Sequence, residues 1–94
     1  MRSTNLTPMG YKKKIRIRER RMKRTMGLCT HEGDGKTFTI DIHPGHKREK
    51  SRLNTTAHEA IHAADWSLSE RRTMAIAWAV THVLWREGWR RIHK

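Results

Sequence analysis

Residues 53–66 read LNTTAHEAIHAADW. Leu53, Ala57, Ala60, Ile61 and Ala64 fall within about 80° of one another at 100° per residue, so the stretch is expected to form one amphipathic helix, roughly 52–66, whose apolar stripe packs on the hairpin preceding it. Inside it, His58-Glu59-Ala60-Ile61-His62 has the form H-E-x-x-H. Four residues bring a helical side chain back to nearly the same azimuth one turn on. Both imidazoles therefore emerge on one side, at a separation a tetrahedral zinc ion bridges. Glu59 lies about 100° round, close to such a metal without ligating it. There it can take a proton from a water whose pKa the metal lowers from about 15.7 towards about 7. His58, His62 and Asp65 cluster away from the apolar stripe, which suits a metal site at the edge of a core. The alternative is a pair of surface histidines, with Glu59 serving as the N3 partner of Thr56 in a T-x-x-E capping box.

A catalytic zinc needs a third protein ligand and an open fourth position. Two acids compete for the role. Asp65 shares the ligand face but stands about 10 Å along the axis from His58, so in a regular helix it is better placed to accept the N–H of a ligating imidazole, and it ligates only if the helix unwinds. Glu70 belongs to a second amphipathic pattern running through Met74, Ala77, Trp78, Val80, Thr81, Val83, Leu84 and Trp85 and stopping near Gly88. It shares an azimuth with Met74, Ala77, Thr81 and Leu84 and so points towards the first helix, where an unpaired carboxylate is costly and needs a partner. Its other role is the acid of an S-x-x-E capping box begun by Ser67. So short a turn makes the two helices antiparallel neighbours. Trp78 and Trp85 recur at i+7 and are expected to fill the core, Trp66 to end the motif helix and Trp89 to cover the underside.

Upstream, Lys14–Arg18 alternates Ile15 and Ile17 with basic residues, the period of a strand with one wet face. Residues 26–31 and 36–43 flank Glu32-Gly33-Asp34-Gly35, whose Asp-Gly chemistry reverses a chain, so they read as a hairpin. In its second arm Phe38, Ile40 and Ile42 share one face and Thr37, Thr39, Asp41 and His43 the other; Pro44-Gly45 ends it. His43 closes the strand and is kept as a reserve ligand or transition-state donor. His31 and His46 are expected to be solvent-exposed, His82 to lie on the polar side of the second helix and His93 in the tail. The fold class is thus α+β: a short β-hairpin or sheet followed by two antiparallel helices, in a single domain spanning residues 14–94 after a flexible basic arm, residues 1–13.

Ninety-four residues with a formal charge of +12 leave no room for a second domain. Residues 1–30 hold ten Lys/Arg against one Glu, residues 31–50 balance, and residues 51–94 carry a net +3. The basic run begins with Lys12, Lys13, Lys14, Arg16 and Arg18 and would attract phosphate or other anions, nucleic acid among them, through its long-range field. Only Tyr11 interleaves with it, so a single-strand stacking platform is missing. The lone Cys29 cannot make an internal disulfide, which favours a reducing compartment and hence the cytoplasm. No apolar run is long enough for a signal peptide or a membrane span, so no membrane partner is expected. Oligomeric state is not encoded legibly.

The strings TTAHEAIHAADWSLSERR and VLWREGWRR resemble the zincin metallopeptidases, and more closely the very small HExxH proteins of bacteriophages and prophages. In those a strand-rich N-terminal part precedes the motif helix and a second helix carries an acid. The likeness covers about residues 36–90 and implies a gluzincin-like minimal domain with Zn2+ on His58 and His62, Glu59 as catalytic base and Glu70 as the acidic ligand. It also implies a host cytoplasm if the chain is phage-encoded. The His62–Glu70 interval is far shorter than in the large thermolysin-like enzymes, and Leu68 stands where a metzincin would carry its third histidine. Zincins hold an extended peptide along an edge strand beside the motif helix, which makes Lys36–His43 the expected strand and a peptide or protein the expected substrate. Two functions follow: a zinc metallopeptidase, or a basic nucleic-acid- or protein-binding protein with a structural or vestigial zinc site.

Overall fold

The computed structural model describes residues 13–92. Lys12, Tyr11 and His93, with nearly all of the expected basic arm, lie outside the described residues. Three strands precede two helices: β1 (Lys14–Glu19), β2 (Gly27–His31), β3 (Thr37–Ile42), α1 (Glu49–Ala64) and α2 (Glu70–Glu87). The fold is α+β, in the order the sequence led us to expect.

The hairpin forms as its turn chemistry requires. Gly33 and Gly35 take φ of 89° and 71°. Between them the Asp34 carboxylate accepts the Lys36 and Thr37 amides at 2.8 Å each, and the Thr37 hydroxyl at 2.9 Å. Those bonds, the Thr37 amide foremost, hold the Asp34 carboxyl down at about 2. β2 pairs antiparallel with β3, Cys29 opposite Ile40. The sheet order is nevertheless β1-β3-β2. β1 crosses to the far edge of β3 and pairs with it in parallel, Ile15 beside Phe38 and Ile17 beside Ile40. β3 is therefore central with both edges paired, and Lys36–His43 cannot be the free edge strand expected from sequence. Beside α1 the free edge belongs to β2.

A central strand is buried on both faces, and β3 has a different cover on each. Phe38, Ile40 and Ile42 meet α1, with Ala63 and Cys29 completing a small apolar core flanked by Ile15 and Ala60. On the other face Asp41 is only 1 % exposed, sealed by ion pairs to Arg18 and, at 3.2 Å, Arg20. An apolar residue there would face guanidinium groups; a carboxylate is paired by them.

α1 begins three residues earlier than its apolar stripe predicts and ends at Ala64, with Asp65 in extended conformation. Its last carbonyls, Ala63 and Ala64, accept the Lys13 ammonium at 2.9 and 2.8 Å, a cation at the negative end of the helix dipole. Thr56 sits mid-helix with its hydroxyl donating to the Arg52 carbonyl at 2.8 Å, so the capping-box reading of Thr56 and Glu59 is excluded. The sheet-facing side also differs from the expected stripe. Ala63 and Glu59 are buried against the strands, whereas Ala64 is exposed, because α1 has to satisfy two neighbours and the sheet takes the face one step round.

α2 is capped by Ser69, whose hydroxyl accepts the Arg72 amide at 3.2 Å, and not by Ser67. It stops at Gly88, left-handed at φ 100°, as the sequence indicates. Thr73, Ala77 and Thr81 form its buried line. The Thr81 hydroxyl donates to Asn54 across the helix pair at 3.2 Å. Side chains this small leave no space for an indole: Trp78, expected in the core, is 57 % exposed, under the Lys50 ammonium and stacked on His82. Met74 is exposed for the same reason. Trp85 is half-buried beneath the Arg90 guanidinium. Among the described residues no helix is long and apolar enough to cross a membrane.

Overpacking the helix pair by Ala77→Leu is expected to lower unfolding free energy by about 1–3 kcal/mol in chemical denaturation, while Trp78→Ala stays within about 1 kcal/mol of the parent. The depressed Asp34 carboxyl lends the hairpin stability that is complete above its ordinary value of 3.8 and fades as pH falls through about 2. The Thr37 amide should accordingly titrate near the lower value by NMR.

Candidate metal centre

Three side chains converge where α1 faces the start of α2. His58 Nε2 lies 2.7 Å and His62 Nε2 2.8 Å from Glu70 Oε1, and the two nitrogens are 3.1 Å apart. One ligand atom from each of these residues lies within 4.8 Å of the others, a set able to hold a metal ion. A tetrahedral zinc with bonds of about 2.0–2.1 Å requires ligand atoms about 3.3 Å apart, so a small expansion of the triangle accepts one. The donor chemistry points the same way. Two imidazole nitrogens and a carboxylate oxygen aimed at one point are a donor set that zinc accepts, and a shared cation would replace the protons that now lie between them. Glu70 is 67 % exposed against 17 % for His58 and 22 % for His62, so the triangle is walled by the helix on one side and open to solvent on the carboxylate side.

The two carboxylates of the site occupy opposite environments. Glu59 lies against Gly27 of β2 and is buried; desolvation raises its proton affinity, against the opposing charges of His58 and His62. For Glu70 desolvation is the largest single effect, but the hydrogen bonds and charges of His62 and His58 together outweigh it, and its carboxyl sits below the usual range. One acid is thus suited to exchange a proton and the other to remain an anionic donor.

α1 runs beside β2 in the same sense. Its Thr55 and Glu59 lie against Gly27, and Trp66 meets the edge of His31 at 5.0 Å. A Cβ on Gly27 would fall about 3.0 Å from Glu59 Oε2 and well inside contact distance of the Thr55 methyl, so the strand reaches this close only because residue 27 has no side chain. The result is a cleft of about 400 Å³ between β2 and the two helices, with Glu59, His62 and Glu70 on one wall, Leu28 and Cys29 on the other, and Trp66 and Leu68 at its end.

Other residues singled out from sequence are engaged elsewhere. Asp65 accepts the Ser67 hydroxyl at 2.6 Å and amide at 3.1 Å, bonds that lower its pKa and use its carboxylate to close the α1–α2 turn. It is outside the ligand triangle, and with Ser67 committed to Asp65 the Ser67–Glu70 capping box does not form. The His43 ring accepts the Gly45 amide at 2.8 Å and is likewise outside the triangle. His46, expected in solvent, is half-buried and bridges the His43 carbonyl at 2.8 Å to the Thr55 hydroxyl at 2.9 Å, tying the β3–α1 connection to the turn of α1 before Glu59. Of the basic candidates, Lys13 caps α1, Arg16 pairs with Glu32 at 3.1 Å and Arg18 with Asp41, whereas Lys14 projects from the β1 edge as an exposed side chain. Sequence reasoning passed over the close approach at Gly27, the bridging role of His46 and the packing of Trp66 on His31 and Phe38. A lone glycine and contacts between side chains far apart in the chain carry no periodic signal.

No known protein family, curated protein or solved structure matches the chain.

Burial, with the charge of Glu59 adding to it, pushes the Cys29 thiol up to about 11 from 9.0, so it lines the cleft as a neutral group. Alkylation of the native protein by iodoacetamide at pH 8 should therefore run on the order of 100-fold slower than alkylation of the denatured chain, followed by mass spectrometry.

Proposed function

We propose that the chain is a zinc-dependent hydrolase of the metallopeptidase type, a minimal zincin-like domain acting on peptide or protein. The observation that carries the reading is the convergence of His58, His62 and Glu70 on one point with a second, buried carboxylate, Glu59, one residue along the same helix. A zinc ion held by those three residues would supply a Lewis acid that acidifies water and polarises a carbonyl.

The remaining work belongs to the chain. Glu59 removes the proton of the attacking water at its carboxylate and returns it to the amine nitrogen as the peptide bond breaks; its desolvated setting makes it a stronger base than a surface glutamate. Glu70 stays ionised and holds both imidazole Nε2 atoms in register. The free edge of β2 offers unpaired backbone groups along the cleft, where an extended peptide adds as a further strand. Trp66 and Leu68 give the end of that cleft an apolar wall against which a substrate side chain packs. A single buried cysteine suits a reducing compartment, host cytoplasm included.

A second reading is supported by the charge. Residues 13–24 hold eight Lys/Arg against one Glu, enough to attract nucleic acid or an acidic protein, with the zinc site serving structure. Arg16, Arg18 and Arg20 are already ion-paired, which weakens this reading against the first.

Glu59→Gln separates the two. A peptidase variant is expected to keep one zinc per chain by elemental analysis and to lose about 10²–10⁴-fold in turnover of a peptide library, whereas His62→Ala loses the metal as well. Undiminished turnover by Glu59→Gln, or a parent protein that takes up no zinc, would remove the hydrolase. For a nucleic-acid binder, affinity should fall steeply between 50 and 200 mM salt, and a flat response would remove that reading.

A further inference from the structure

A second hollow opens on the other side of the motif helix. Leu53 lies about 180° round α1 from His62, and where it faces the ends of β1 and β3 and the C-terminal turn of α2 the elements stand apart, leaving about 500 Å³. Ile17, Ile42, Leu53, Leu84, Trp85 and Trp89 line it. Ile17 and Trp89 remain well exposed there, so large apolar groups face water that a ligand would displace.

The rim has a defined electrostatic character. Arg52, whose side chain is only 14 % exposed, places Nη1 3.0 Å from Glu19 Oε2, and Arg91 Nη2 reaches the same oxygen at 3.3 Å. Two guanidinium groups thus share one carboxylate oxygen. Each carries five N–H donors in a planar fork, so both retain donors for a second carboxylate. Arg90 plays another part: its guanidinium lies 3.4 Å over the Trp85 ring and donates to the carbonyls of Trp85 and Trp89 at 2.9 and 2.8 Å, fixing the aromatic wall. With Glu49 also at the rim, three arginines face two acids and a single positive charge is left over.

We propose that this hollow binds an amphipathic monocarboxylate, its unbranched acyl chain lying on Leu53, Trp85 and Trp89 and its carboxylate between Arg52 and Arg91. An apolar trough ending at a pair of guanidiniums with one uncompensated charge matches that ligand in both parts. A neutral apolar molecule leaves the charge unmatched, and a small anion leaves the trough wet. The site is independent of the metal reading, because the helix itself separates the two clefts.

The probes are octanoate, decanoate and dodecanoate below their micellar concentrations, titrated into the full chain with and without zinc and followed by calorimetry and by tryptophan emission. The expected result is saturable 1:1 binding that tightens about three- to fourfold per added methylene and persists without zinc and in His58→Ala. Arg91→Gln, on a half-exposed side chain of the tail, should weaken dodecanoate at least tenfold. Leu53→Trp, which fills the trough, should do the same, with circular dichroism confirming the fold of each variant. Dodecanol and dodecyltrimethylammonium should bind at least tenfold more weakly than dodecanoate. Absence of saturable binding, equal affinity for the ammonium, or binding lost in His58→Ala, which would put the carboxylate on the metal site, overturns the proposal.

Discussion

α1 is gripped from two sides at once, and small side chains make the grip possible. Ala63 is fully buried against Phe38, Ile40 and Ile42, and Ala77 with Thr73 and Thr81 closes the other contact. Each apolar side chain buried on β3 contributes about 1.5–3 kcal/mol, and a chain of this length buries only about 60–65 % of its unfolded surface. With so thin a core, polar ties carry a large share of the positioning: Lys13 on the last carbonyls of α1, His46 on Thr55, and Asp41 beneath its arginines.

The position of α1 divides its circumference among chemically distinct neighbours. The sheet side buries Glu59, the rim beside α2 presents His58 and His62, and the opposite rim opens on an apolar trough. Because α2 can approach closely, the side chain of its first residue, Glu70, spans the gap to both imidazoles. Two glutamates of one site are driven apart in proton affinity by this placement, one by burial and one by hydrogen bonding to histidine, which is how a single small fold supplies both a base and an anionic ligand.

The basic run acquires a different meaning once folded. On the outer face of the sheet its arginines neutralise Asp41 and Glu32, so part of the charge that appears free along the chain is internal to the structure. The exposed Arg16–Glu32 pair contributes little to stability. The Arg18–Asp41 pair instead ties β1 to the buried Asp41 of β3, and the β1–β3 pairing leaves to β2 the free edge beside Glu59.

Local chemistry was legible without the structure. The H-E-x-x-H spacing, the Asp-Gly turn, the Gly88 stop and the succession of strands and helices rest on interactions spanning a few residues, which periodicity and turn chemistry report directly. Glu70 was also legible as an acid turned towards α1, since its azimuth follows from the helical repeat. Which strand is central, that Trp78 is excluded from the core and that Gly27 admits β2 to Glu59 were decided only by tertiary structure. Each depends on how closely two distant segments approach, and that distance is set by the volumes of side chains from both, information that no single stretch of the chain contains.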